Sequence, residues 1–163
     1  MSQSDYERPI DFYRDYHSHP TNQLIHAICI PILAITLLNL LSLITITIDR
    51  VSLSLTKTSP IIIRGHVLLS IVFMYNYYIT YGTKIAMVML GYMTVANFLA
   101  TRWRHQRTNW AWECFLVHIF SWAAQFYGHL IEGKRPALVD NFGQAFLSAP
   151  LFAFSEVFWP SLV

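Results

Sequence analysis

Residues 25–48 read IHAICIPILAITLLNLLSLITITI, twenty-four positions without an Asp, Glu, Lys or Arg. A helix needs about 20 apolar residues to cross a hydrocarbon core of about 30 Å. The stretch therefore predicts a membrane span, with Pro31 near its start, where a helix tolerates proline best. Downstream, Asp49 to Pro60 is a polar, Ser/Thr-rich loop carrying Arg50 and Lys57, and Ile61 to Tyr81 is apolar again. Arg64 and His66 sit in the first turn of this second span, where a long basic side chain can snorkel to the interface. Gly82 and Thr83 make a short turn, and Ile85 to Thr101 forms a third span between Lys84 and Arg102. The basic loop RWRHQRTN, residues 102–109, follows; Trp103, Trp110 and Trp112 surround it, as at a membrane interface. Glu113 to Ile131 is the fourth span.

A polar connector, EGKRPALVDN at 132–141, leads to a last apolar segment, Phe142 to Trp159. Pro150 in its middle and Glu156 near its end predict a broken or half-inserted helix. Residues 1–24 are polar and mixed in charge, without the basic start and apolar core of a cleavable signal. The composition agrees: of 163 residues 55% are hydrophobic and 12% charged, against about 25% charged in soluble domains. The expectation is a single membrane domain, an all-α polytopic bundle of four spans plus the C-terminal helix, with the lipid bilayer as its first partner. A net charge of +2 and the lack of a basic helix argue against a nucleic-acid partner. Cys29 and Cys114 lie in apolar stretches and read as small buried side chains rather than a disulfide. Lys and Arg divide almost evenly between the two faces, which leaves orientation open. Oligomeric state is not written in the sequence.

The chemistry-bearing residues are seven histidines in this apolar setting. Burying an imidazole costs free energy unless it is hydrogen-bonded or bound to a metal. Four spans bring His17, His26 and His129 to one membrane face. Pro20 disfavours a continuous helix through 17–26, so His17 can fold back toward His26. On the fourth span His118, Trp122, Gln125 and His129 share a helix face, which should look into the bundle. His118 and His129 are eleven residues apart, about 16 Å along a helix, too far to share one ion. His118 therefore reads as a hydrogen-bonded core histidine. Glu132, three residues after His129, is placed to ligate the same ion or to orient His129. His105 falls on the opposite face, and His19 and His66 read as interfacial residues. Three imidazoles suit iron, zinc or copper.

Two stretches carry a family resemblance: FYRDYHSHPTNQLIHAICIP at 12–31 and SWAAQFYGHLIEGKRPALVDNFGQAFLSAPLFAFSE at 121–156. Tyr13, His17, Pro20, Asn22, Ile25 and His26 match the first motif. Trp122, Gln125, Phe126, Gly128, His129, Glu132, Arg135, Pro136, Ala137, Leu138, Asp140 and Asn141 match the second. The chain thus resembles the yeast-type 2-hydroxy fatty acid dioxygenases, small membrane proteins of fatty acid α-oxidation. The resemblance implies Fe(II) as cofactor and a 2-hydroxy fatty acid and O2 as partners. The acid would be shortened by one carbon, released as CO2, in the breakdown of sphingoid bases such as phytosphingosine. It implies His17, His26 and His129 as catalytic iron ligands. The family also has a histidine after its third span, to which His105 corresponds, so the resemblance implies His105 as a further iron ligand, in conflict with the topology above. The implied location is the endoplasmic reticulum of a eukaryote, or the inner membrane of a bacterium.

On that reading Arg135 or Arg14 would pair with the substrate carboxylate, since Arg offers a planar bidentate match. Tyr13, Asn22 and Gln125 would be hydrogen-bonding neighbours. Arg135 reads equally well as a snorkelling cation, and Asp140 or Asn141 as the cap of the next helix. Two rivals stay open: a bis-histidine haem protein using His26 and His129, and a non-enzymatic membrane scaffold. The histidine boxes of di-iron desaturases are absent from the sequence.

Overall fold

The computed structural model describes residues 8–48 and 61–159. In chain order these form α1 (Pro9–Asp15), α2 (Pro20–Leu41), β1 (Thr45–Ile48), β2 (Ile61–Arg64), α3 (Gly65–Gln106), α4 (Trp110–Glu132), α5 (Ala137–Asp140) and α6 (Phe142–Phe158). Three of them, α2, α3 and α4, are long and apolar enough to cross a membrane. The longest, α3, is folded on itself. Gly82 has φ 79° and ψ −177°, a backbone conformation that breaks the helix and that glycine reaches without strain. Asn97 Nδ2 donates to Ser70 Oγ at 3.1 Å; along a straight helix those residues would stand about 40 Å apart. The two halves of α3 are therefore an antiparallel hairpin that accounts for the second and third spans. The architecture is a helical membrane bundle.

Three differences from the sequence expectation stand out. The first span does not run over 25–48; its helix, α2, covers Pro20–Leu41. Pro20 occupies its first turn, where the missing N–H is no loss, and His19 caps it by accepting from Thr21 N at 3.2 Å. Residues 45–48 instead pair antiparallel with 61–64, Thr45 opposite Arg64 and Ile48 opposite Ile61. The reason is local: Thr-Ile-Thr-Ile and Ile-Ile-Ile are β-branched runs that lose rotamer freedom in a helix and fit a ladder. The loop expected at 49–60 lies outside the described residues, as do residues 1–7 of the polar segment. Second, α3 continues through Gln106, so most of the basic RWRHQRTN stretch is helix. Third, α6 continues through Pro150 without a break. One proline removes a single rung of the ladder, and Pro31 is accommodated in α2 in the same way.

Helix α2 is the central pillar. It packs on α4, α3 and α6, while α1 and α5 pack on α6, and α4 makes little direct contact with α3 or α6. Tyr77, Phe152, Leu38, Met89 and Leu151 are fully buried between these elements. The outer faces are apolar, with Ile119, Phe120 and Leu130 on α4 and Ile71, Tyr75 and Ile79 on α3 exposed, as a lipid-facing surface requires.

Candidate metal centre

The sequence delivers three imidazoles to one point from three local structures. His17 lies in the bend between α1 and α2, where Pro20 prevents the helices from merging. His26 is on the second turn of α2, and His129 on the last turn of α4. Their rings touch: centroids are 4.2 Å apart for His17–His26, 4.8 Å for His17–His129 and 4.9 Å for His26–His129. One ligand nitrogen from each lies within 4.8 Å of the others. The rings are exposed to only 1%, 2% and 5%.

Hydrogen bonding fixes two of the three tautomers. His17 Nδ1 lies 2.7 Å from Tyr13 O, and His26 Nδ1 lies 3.0 Å from Asn22 O. A carbonyl only accepts, so each Nδ1 carries the proton and each Nε2 is left as a lone pair. Metal-ligating histidines commonly make such a carbonyl bond through their second nitrogen. His17 Nε2 and His129 Nδ1 are buried without a hydrogen-bond partner, and a buried unpaired nitrogen costs about 1–3 kcal/mol. Burial also pushes the His17 imidazole down to about 4, which keeps the ring neutral at physiological pH. Tyr13 stacks on His17 with centroids 4.2 Å apart and an interplanar angle of 12°.

A bound metal fits this donor set. Ligands at about 2.1 Å from one ion in a tetrahedral arrangement are about 3.4 Å apart, so nitrogens that now lie within 4.8 Å of one another would draw in by up to about 1.4 Å. Buried imidazole nitrogens that converge with no hydrogen bond between them are what a cation requires.

The surrounding residues hold the rings rather than join them. Both oxygens of Glu132 are taken up by the N-terminal segment. Oε1 accepts from Ser18 N and Ser18 Oγ, each at 2.7 Å, and Oε2 accepts from Asn22 Nδ2 at 2.6 Å. Where the sequence offers Glu132 as a ligand or as the residue that orients His129, the structure shows it bonded to Ser18 and Asn22. Glu132 fixes Ser18, next to His17, and Asn22, whose carbonyl orients His26. Gly128 lets this happen. A Cβ there would collide with Asn22 Oδ1, so α2 and α4 approach closely one residue before His129. The glycine inside an apolar helix was the sequence signal for that contact.

The cluster heads a cavity of about 320 Å³ that runs between α2, α3, α4 and α6. Ile30, Leu33, Leu37, Phe73 and Met93 line its body. Gln125, one turn before His129, lines it too, with Nε2 buried and unpartnered. His118 lies at the far end and is saturated. Trp122 Nε1 donates to its Nε2 at 3.1 Å, and its Nδ1 meets Thr36 Oγ1 at 2.9 Å. The Thr36 hydroxyl donates to the Ile32 and Leu33 carbonyls, so it accepts from His118. His118 is the hydrogen-bonded histidine that the spacing implied.

Other expected site residues stand apart. His105 is exposed near the end of α3, where neighbouring Arg107 pairs with Glu113 at 3.0 Å. Glu113 is sixteen residues before His129, about 24 Å along α4, so His105 does not join the cluster. Arg135 pairs with Asp140 at 2.8 Å and is 70% exposed, while Arg14 lies 3.6 Å from Glu156. Neither lines the cavity; the turn at Pro136 and the α1–α6 packing direct them to the rim. Asn141 is the residue that caps α6, accepting from Gln144 N at 3.0 Å.

Fold and site together define a class: a polytopic helical membrane protein with three buried, converging histidines at the head of an apolar cavity. Residues 3–159 match the family described as 2-hydroxy-palmitic acid dioxygenase Mpo1-like, and the chain belongs to that family. It is 30% identical over 153 residues to the 2-hydroxy-palmitic acid dioxygenase MPO1 of Saccharomyces cerevisiae, covering 93% of this chain and 79% of the yeast protein. No solved structure matches the chain.

Proposed function

We propose that the protein is an Fe(II)-dependent dioxygenase of 2-hydroxy fatty acids, acting in sphingoid-base and lipid breakdown at the endoplasmic reticulum or a bacterial inner membrane. One 2-hydroxy acid and one O2 would give the fatty acid one carbon shorter, one CO2 and one water. The observation that carries this reading is the tri-histidine cluster at the head of a largely apolar cavity. That is the polarity of a fatty acid, oxidisable at its head and inert along its tail.

His17, His26 and His129 would hold the ion, and iron bound there would supply the site for O2 activation beside the substrate. Three neutral imidazoles bring no negative charge, so a divalent ion keeps its full +2 and favours a carboxylate in this low-dielectric setting. This supports substrate binding without an arginine, in keeping with Arg14 and Arg135 being engaged elsewhere. Gln125 Nε2 would donate to a substrate oxygen, satisfying its buried amide. Tyr13 packs the back of His17, and Asn22 orients His26. The haem rival is disfavoured, since rings in direct edge contact leave no gap for a porphyrin between them.

The test is elemental analysis of anaerobically purified protein beside its His129→Ala variant, followed by an assay of 2-hydroxy palmitate with O2. Stoichiometric iron and turnover, both lost in the variant, support the reading. Zinc with no turnover, or no metal after reconstitution with Fe(II), overturns it.

A further inference from the structure

The cavity has one closed face and one open one. On the side of the histidines, the N-terminal segment is tied across to the chain beyond α4 by a continuous polar lattice. Ser18 and Asn22 bond Glu132; Lys134 bonds the Asp15 carbonyl and, at 3.0 Å, Ser18 Oγ. Tyr16 donates to Asp140 at 2.6 Å, and Gln144 Nε2 donates to Pro9 O at 3.3 Å. These bonds lie over the histidines and shield them from water.

The flank between α4 and α6 is different. The two helices both lean on α2 yet make little contact with each other. Each of the two helices carries a stacked aromatic pair: Trp122 on Phe126, centroids 5.9 Å apart, and Phe142 on Phe146, 5.7 Å apart, with Phe146 also against Phe73 of α3. All four line the cavity, and Phe126 is 45% and Phe142 62% exposed. The same rings therefore belong to the cavity wall and to the outer apolar surface. Phe126 is one turn from His129, so the gap lies beside the metal ligands.

From this we infer that the cleft between α4 and α6, framed by Trp122, Phe126, Phe142 and Phe146, is a lateral portal that admits a long-chain acid directly from the bilayer. The inference rests on the proposed function and adds the route. Each buried CH2 favours the membrane by about 0.8 kcal/mol, so a long-chain acid is concentrated in the leaflet. An aqueous route would strip it from lipid and break the polar lattice, whereas the portal requires only rotation of surface aromatics. A chain sliding in sideways reaches the cavity with its carboxyl end at the histidines and its tail toward Leu33 and Phe73.

The test reads where the chain lodges, independently of catalysis. A Phe126→Cys/Phe142→Cys protein in a Cys29→Ala background is tied across the cleft with bis-methanethiosulfonates of graded length, which reductant removes. A diazirine-tagged 2-hydroxy palmitate is supplied in phosphatidylcholine vesicles and photolysed, and adducts are mapped by mass spectrometry. Adducts at Leu33, Leu37, Phe73 or Met93 in the untied protein, lost on tying and restored by reductant, are the expected result. Each single-cysteine protein treated alike should keep them. Deep adducts that persist in the tied protein overturn the portal but leave the acyl-binding cavity standing. No deep adducts in the untied protein overturn the acyl-binding cavity, and the portal with it.

Discussion

Helix α4 carries two histidines on one face, and their surroundings differ in every respect that matters chemically. His118 has both nitrogens occupied, one by the Trp122 indole and one by the Thr36 hydroxyl. His129, eleven residues on, has Nδ1 buried without a partner, against two further rings. The same residue type in the same helix is a hydrogen-bonded strut at one position and, on the proposed reading, a metal ligand at the other. Histidine content alone does not point to a metal centre; convergent nitrogens without competing donors do.

That contrast can be broken by exchange of roles. His26→Ala or His129→Ala should abolish metal binding while the protein still inserts and folds, because the remaining two imidazoles cannot encircle an ion. His118→Ala should retain the metal and lose on the order of 1 kcal/mol of stability, the usual scale for polar contacts between membrane helices. Metal content and thermal unfolding of the three variants decide it. A His118→Ala protein without metal would overturn the distinction. A smaller effect sharpens it: Glu132→Gln keeps the shape but removes the charge that holds Ser18 and Asn22. Metal affinity should fall by about 10–100-fold, as for other residues that orient ligands, in a chelator competition. Unchanged affinity would show that the rings hold their place without it. Gly128→Ala should be the mildest for the metal, costing about 1–3 kcal/mol from overpacking against Asn22. Thermal unfolding at wild-type temperature would refute the close approach of α2 and α4.

Much of this was legible in the sequence, because it rests on local periodicity and length. The charge-free runs announce the helices, and the spacing of His118, Trp122, Gln125 and His129 places them on one face. Pro20 announces the bend that turns His17 back. The hairpin at 45–48 and 61–64 was not legible, since a Thr-Ile run looks like part of a span when only hydrophobicity is counted. The roles of Glu132 and Thr36 were hidden for another reason. Their partners are remote, Ser18 lying 114 positions from Glu132 and Thr36 lying 82 from His118. No local pattern records which polar groups meet across such distances. Arg135 shows the limit from the other side: a guanidinium beside a site suggests a carboxylate ligand, and the sequence did not tell that Asp140, five residues on, meets it.

The order of the three histidines along the chain has a consequence for biogenesis. His17 and His26 leave the ribosome about a hundred residues ahead of His129, and chains fold progressively as they emerge. Until α4 is laid against α2, a nascent chain offers only two of the three nitrogens, and the lattice from Glu132 to Ser18 cannot close. If the cluster holds a redox-active ion as proposed, its capture would be deferred until most of the bundle exists, and a stalled or truncated product would carry no competent centre to damage the surrounding lipid.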